Sequence, residues 1–136
     1  MHNKQPISTE ALDTDHASPM MNTLGIRIKE IGESHAIIEV TISGIHSNYF
    51  GGAHGGLLAT LVDTAAFFPR PLLPSGRTCA TTNLSITYVR PAVPGDTLTA
   101  RSELIHLGRR LASVTVTILN QKQKLVAHGT VSLMLQ

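Results

Sequence analysis

The chain has 136 residues, 42% of them hydrophobic and 15% charged, with a formal net charge of +2. That length fits one domain with a substantial core, and so small and scattered a charge excludes a nucleic-acid footprint. So few charges for the size point to a surface partly covered by another subunit. The single cysteine, Cys79, excludes an internal disulfide and fits a reducing compartment; its residue type suits a small buried position in a strand. No run of about 18 apolar residues offers a membrane span. Met1 to Asp15 is polar and lacks the apolar stretch of a signal peptide, so the cytoplasm is the expected compartment.

Residues 1–19 read as a loose arm that ends near Pro19 and holds at most a short helical turn, and residues 20–136 as one domain. Residues 24–31 and 35–43 are strand-like and separated by Gly32-Glu33-Ser34, a hairpin signal. Ala36, Ile38, Val40 and Ile42 share one face of the second strand. A polar, glycine-rich loop follows, and from Gly55 to about Phe68 the apolar positions cover most of a helix circumference, which predicts a buried helix. Pro69 and Pro71 stop it. After Gly76 the period becomes two. Thr82, Leu84, Ile86 and Tyr88 alternate with Thr81, Asn83, Ser85 and Thr87, and Ala112, Val114, Val116 and Ile118 with their polar neighbours. Turn signals fall at Pro91–Asp96, Leu107–Gly108 and Asn120–Lys124, and Leu125 to Leu135 is the last strand. The predicted class is α+β: two strands, one buried helix, then about four antiparallel strands, with dimerisation through the helix side or a sheet edge.

The chemistry concentrates in Asn48 to Asp63. The loop offers backbone N–H groups at a helix N-terminus, where developing negative charge is favoured. Asp63 places a carboxylate in the middle of an apolar helix, at a cost of several kcal/mol unless it is paired or functional. By itself Asp63 equally suits a dimer seam, bonded to a Thr or Ser. Asn48 fits a turn or a hydrogen bond to a carbonyl or water, and His54 a helix N-cap or a general base. Gly55 and Asp63 are eight residues apart, roughly 12 Å along a helix, whereas an oxyanion donor and its base must meet within about 3 Å of one reacting centre. If both act on one substrate, they come from two chains in antiparallel register. The histidines show no metal-ligand spacing, and no Gly-x-Ser-x-Gly elbow, P-loop or dinucleotide fingerprint is present. Gly108-Arg109-Arg110, and next Arg90, are the phosphate-binding candidates, each also compatible with a solvated arginine.

Asn48, His54-Gly55-Gly56 and Asp63, followed by Asn83 to Pro91, Gly95-Asp96, Leu107 to Arg110 and Ala127 to Thr130, resemble the hotdog-fold thioesterase superfamily, in particular its phenylacetate-pathway (PaaI-type) branch of acyl-CoA thioesterases. The resemblance spans roughly residues 20–136. It implies a hotdog fold, with a long central helix wrapped by a curved antiparallel sheet of five to six strands. It also implies homodimers or homotetramers with sites shared between subunits. The implied reaction is hydrolysis of an acyl-CoA thioester to a carboxylic acid and coenzyme A, with no cofactor beyond the coenzyme A of the substrate, no metal, and neither nucleic acid nor membrane as partner. By position, Asp63 matches the catalytic carboxylate, as base or nucleophile, and the Gly55 N–H the oxyanion donor. Asn48 matches a residue orienting substrate or water, His54 lies in the supporting loop, and Thr81 matches a hydroxyl that positions water. Asn83, Tyr88 and His106 to Leu111, with Gly108, Arg109 and Arg110, match coenzyme A contacts. Pro69 departs from the family pattern and predicts an early end or a kink in the helix, with Phe67, Phe68 and the N-terminal arm shaping the acyl pocket. The rival readings are a non-catalytic acyl-CoA or acyl-carrier sensor, a hydroxyacyl-thioester dehydratase recruiting His54, and a purely structural interaction module.

Overall fold

The computed structural model describes residues 17–72 and 79–136; most of the arm predicted over 1–19, and the change of period at Gly76, lie outside them. The described part opens with helix α1 (Pro19–Leu24). Ser18 caps it through an Oγ that accepts the Met21 N–H at 3.2 Å, Pro19 occupies its first turn, and Gly25 ends it at φ 73°. Residues 24–26 are therefore not strand, as the apolar run suggested. Strand β1 begins at Arg27 (Arg27–Ile31), and Ser-Pro before and Gly after are the helix punctuation that outweighs the run.

β1 turns through 32–34 into β2 (His35–Thr41), with Ala36, Ile38, Val40 and Ile42 all buried. After the long loop come α2 (Gly55–Ala66), β3 (Cys79–Tyr88), β4 (Thr97–Leu107), β5 (Leu111–Leu119) and β6 (Leu125–Leu135). The six strands form one antiparallel sheet in the order β1-β2-β4-β5-β6-β3. α2 packs against β2 to β6 and buries Leu57, Leu58, Leu61, Val62, Ala65 and Ala66. From the sheet, Ala112, Val114, Val116 and Ile118 face it, as their alternation predicts. Gly129 lets helix and sheet approach: a Cβ there would lie 2.8 Å from Val62 Cγ1 and 2.9 Å from the Ser85 carbonyl. Asp96 closes the turn before β4, where the Gln121 side-chain amide and the Val93 N–H hold its carboxyl below the usual carboxylate range.

α2 ends at Ala66, two residues before the predicted Phe68 and three before Pro69. The Phe67 and Phe68 N–H groups bond back to Thr64 and Ala65 in a tightened last turn. A 3-10 turn (Arg70–Leu72) follows, tied to the β1–β2 hairpin by the Arg70 N–H on the Gly32 carbonyl at 3.0 Å.

The sheet's two edges differ in kind. β1 is five residues long and carries Arg27, Lys29 and Glu30, with Arg27 and Lys29 paired to Glu39 of β2, the usual guard against edge pairing. β3 is ten residues long, holds neither charge nor proline, and among the described residues pairs only with β6. Among the described residues no helix is long and apolar enough to cross a membrane.

Candidate active site

The start of α2 is built by the turn before it. Asn48 Oδ1 accepts the N–H groups of Phe50 and Gly52 at 2.8 and 3.1 Å, and Gly51 takes φ 85°. This commits the Asn48 oxygen to the turn and leaves its amide N–H₂ as the group able to reach a ligand. His54 is the N-cap: its Nδ1 accepts the Gly56 N–H at 2.8 Å, so the ring's hydrogen sits on Nε2 when neutral. The Gly55 N–H, at the first helical position, has no acceptor among the described residues. Tyr88 Oη donates to the Gly55 carbonyl at 2.7 Å. Gly55, Leu58, Tyr88, Arg90 and Ala92 line a hollow of about 300 Å³. Arg90 is not a pure solvent-facing cation, since its Nη1 donates to the Leu125 carbonyl at 2.8 Å.

Sequence reasoning missed His46, one of seven histidines with nothing in its spacing to mark it. It is buried, its Nδ1 accepts the Ser43 N–H at 2.9 Å, and its Nε2 donates to the Leu24 carbonyl at 2.7 Å. Its own carbonyl takes the His54 N–H at 2.7 Å. One side chain thus locks α1 to the loop that delivers α2.

Asp63 is half-buried, and Thr81 Oγ1 donates to its Oδ1 at 2.6 Å. Strict alternation along β3 would turn Thr81 away from α2, on the face of Asn83, Ser85 and Thr87. The structure corrects this. A bulge at Thr82 lets Thr81 pair with Leu133 and Asn83 with Ser132, so Thr81 joins Leu84 and Ile86 on the helix side. Asn83, Ser85 and Thr87 remain exposed. Ser18, Met21, Asp63, Thr64, Phe67 and Phe68 line a cavity of about 280 Å³. α1 supplies Ser18 and Met21, a contribution foreshadowed by the helix-start signal Ser18-Pro19. Cys79 opens β3 half-buried rather than fully buried.

The chain does not bring all the candidate residues together. Asp63 and Thr81 meet; Gly55, Tyr88 and Arg90 meet elsewhere, about 12 Å away along α2 by helix rise. His106, Gly108, Arg109, Arg110 and Leu111 line a third hollow, of about 550 Å³, at the turn between β4 and β5. Among the described residues no three of His, Cys, Asp and Glu gather closely enough to hold a metal ion.

A helix laid across a six-stranded antiparallel sheet, with a carboxylate in its last turn rather than at its middle and an open N–H at its start, defines a hotdog thioesterase scaffold. The chain belongs to the Thioesterase superfamily, whose family model matches residues 50–127. It is 35% identical to acyl-coenzyme A thioesterase PaaI of Escherichia coli over 104 residues, covering 76% of this chain and 73% of that protein. The structure of the E. coli PaaI protein superposes with a TM-score of 0.82 at 29% identity, over 91% of this chain and 88% of that one. Mouse acyl-coenzyme A thioesterase 13 is 32% identical over 94 residues, 68% of this chain and 67% of its own. A hypothetical thioesterase from Streptococcus pneumoniae, crystallised with coenzyme A, matches with a TM-score of 0.75 at 29% identity, over 82% and 88% of the two chains.

Proposed function

We propose that this protein hydrolyses acyl-CoA thioesters, with Asp63 activating water and the Gly55 N–H stabilising the oxyanion across a dimer interface. The observation that carries this reading is the Thr81–Asp63 hydrogen bond of 2.6 Å, made by a carboxylate that lines a cavity together with Met21, Phe67 and Phe68. Thr81 occupies Oδ1, which fixes the carboxylate and leaves Oδ2 to take a proton from water. The resulting hydroxide adds to the thioester carbonyl, whose oxygen gains negative charge at the N-terminus of α2, where the Gly55 N–H awaits an acceptor. Collapse of the tetrahedral adduct breaks the C–S bond. The proton held by Asp63 goes to the departing thiolate, giving a carboxylic acid and coenzyme A. Asn48, through its amide N–H₂, orients substrate or water, and His54 holds the start of the helix in place.

Because Gly55 and Asp63 of one helix serve different hollows, a working site takes one from each of two antiparallel helices. The uncharged, ten-residue open edge of β3 supports such a pairing, strand against strand. Leu84 and Ile86, on its helix-facing side yet only half-buried, would be covered by it. The Arg109–Arg110 turn has the charge and the hollow to receive coenzyme A phosphates, and Tyr88 and Asn83 lie along the β3 approach. The occurrence of coenzyme A in the pneumococcal relative supports this choice of substrate.

The test is release of free thiol from a panel of acyl-CoA esters by the wild-type protein and by Asp63→Asn, which keeps an oxygen for Thr81. Wild-type turnover with at least a ~10²-fold fall in the variant is the expected outcome. Binding of acyl-CoA without thiol release by the wild type would replace hydrolysis with a ligand-sensing role.

A further inference from the structure

The chain has only five aromatic residues, two Tyr and three Phe, and all five lie at the two ends of α2. Tyr49 and Phe50 sit at the tip of the turn that leads into the helix, and Tyr88 is bonded to its first residue. Phe67 and Phe68 follow its last turn and line the Asp63 cavity. The two ends are treated differently. Phe68 is buried, whereas Tyr49 and Phe50 are fully solvent-exposed, at 102% and 93%. Nor does a slack loop expose them: Asn48 Oδ1 accepts from Phe50 and Gly52, the Asn48 N–H donates to the Gly52 carbonyl at 2.7 Å, and Ser47 bridges Ala53. Two adjacent aromatics held outward by a closed turn mark a contact surface rather than incidental exposure.

We propose that Tyr49 and Phe50 of one subunit cover the Asp63 cavity of the other, so that Phe50 forms the partner-supplied wall of the acyl pocket. The inference rests on the antiparallel pairing proposed above and fixes what that pairing brings to the site. In a two-fold arrangement that sets the Gly55 N–H of one helix beside the partner's Asp63, the turn preceding Gly55 runs on past that aspartate. It then overhangs the residues that follow it, the partner's Phe67 and Phe68. The cavity there is lined by Met21, Phe67 and Phe68 with one polar face made by Ser18, Asp63 and Thr64. An aromatic lid matches the apolar side chains of its lining and shields the pocket from bulk solvent, leaving Asp63 Oδ2 to the one attacking water. Acyl groups long or flat enough to reach the rim would touch Phe50; an acetyl group, held near the base, would not.

The experiment places two cysteines, Phe50→Cys and Phe67→Cys, in a Cys79→Ser background and treats the native protein with a short bis-maleimide. Within one chain these positions lie at opposite ends of a helix of 12 residues, roughly 18 Å long, beyond the linker's reach. Covalent dimers on a denaturing gel are expected, also when the two single-cysteine proteins are mixed and refolded together. Their absence, or equal yield from Phe50→Cys paired with Lys122→Cys, overturns the proposal. Thr64→Cys, in the same cavity, replaces Phe67→Cys if that variant does not fold. This readout does not need activity, so cross-linking of the variants alongside a wild-type protein that releases no thiol refutes hydrolysis and leaves the shared pocket standing. In an active protein, Phe50→Ala should raise KM for octanoyl- or phenylacetyl-CoA about tenfold more than for acetyl-CoA. An equal change for all three acyl groups counts against the proposal.

Discussion

At the scale of single residues, the proposed site depends on where one hydroxyl points. Thr81 reaches Asp63 because the bulge at Thr82 inserts a residue into β3 and turns Thr81 toward the helix. The hydrogen bond is short, and its acceptor is a half-buried carboxylate, for which charge-assisted bonds of this kind are among the stronger ones. Thr81→Val conserves shape and removes only the donor, leaving Oδ1 without its partner. It should lower kcat about tenfold with little change in KM, and lower stability by about 1 kcal/mol. Thr81→Ser should restore most of both. Steady-state kinetics and urea denaturation of the two variants check this. A fall in stability alone, with kcat intact, would reduce Thr81 to a packing contact.

At the scale of elements, the strands were legible where one face is buried and unbroken: β2 and β5 follow their alternation, and β6 matches its predicted ends although Val126 and Ala127 are both buried. The bulge was not legible, because Thr81 to Tyr88 alternates cleanly as text, and only the pairing with β6 shows that one residue is left over. α1 falls where the sequence suggests the end of an arm and the start of a strand, because Leu24-Gly25-Ile26 is apolar, although Ser18-Pro19 carries the cap and first-turn chemistry. The separation of Gly55 and Asp63, about 12 Å, follows from helix rise alone, so a site divided between two chains, which the proposed function adopts, can be argued without coordinates. The outward set of Tyr49 and Phe50 was not, since exposure is a property of the packed chain. Helix and sheet leave no room for a Cβ at Gly129, beneath Val62. Gly129→Ala should destabilise the fold by about 1–3 kcal/mol, seen as a lower denaturation midpoint. Adding Val62→Ala should recover part of the loss, but not all, since the Ser85 carbonyl stays 2.9 Å from the new methyl.

At the scale of the whole molecule, a site divided between two copies makes a demand that no single-chain site makes: two inactive proteins must be able to repair each other. Gly55→Pro is suited to this, because proline is favoured at a first helical position and removes the N–H under test. His54, at φ −65° and ψ 135°, already has the extended backbone that a following proline needs. The new Cβ would lie 3.1 Å from Tyr88 Oη, so this half-exposed side chain, which bonds the Gly55 carbonyl, must shift by a few tenths of an ångström. Gly55→Pro and Asp63→Asn should each be nearly inactive. Refolded together in equal amounts, half the dimers would be mixed, and each mixed dimer would hold one site with Gly55 from one chain and Asp63 from the other. Thiol release should then return to about a quarter of the wild-type rate, the share set by two-fold symmetry. If both residues served one chain's own site, every site in the mixture would still carry a defect and no activity would return. The quarter-rate recovery therefore separates a catalyst assembled by pairing β3 edges from one that merely happens to be a dimer.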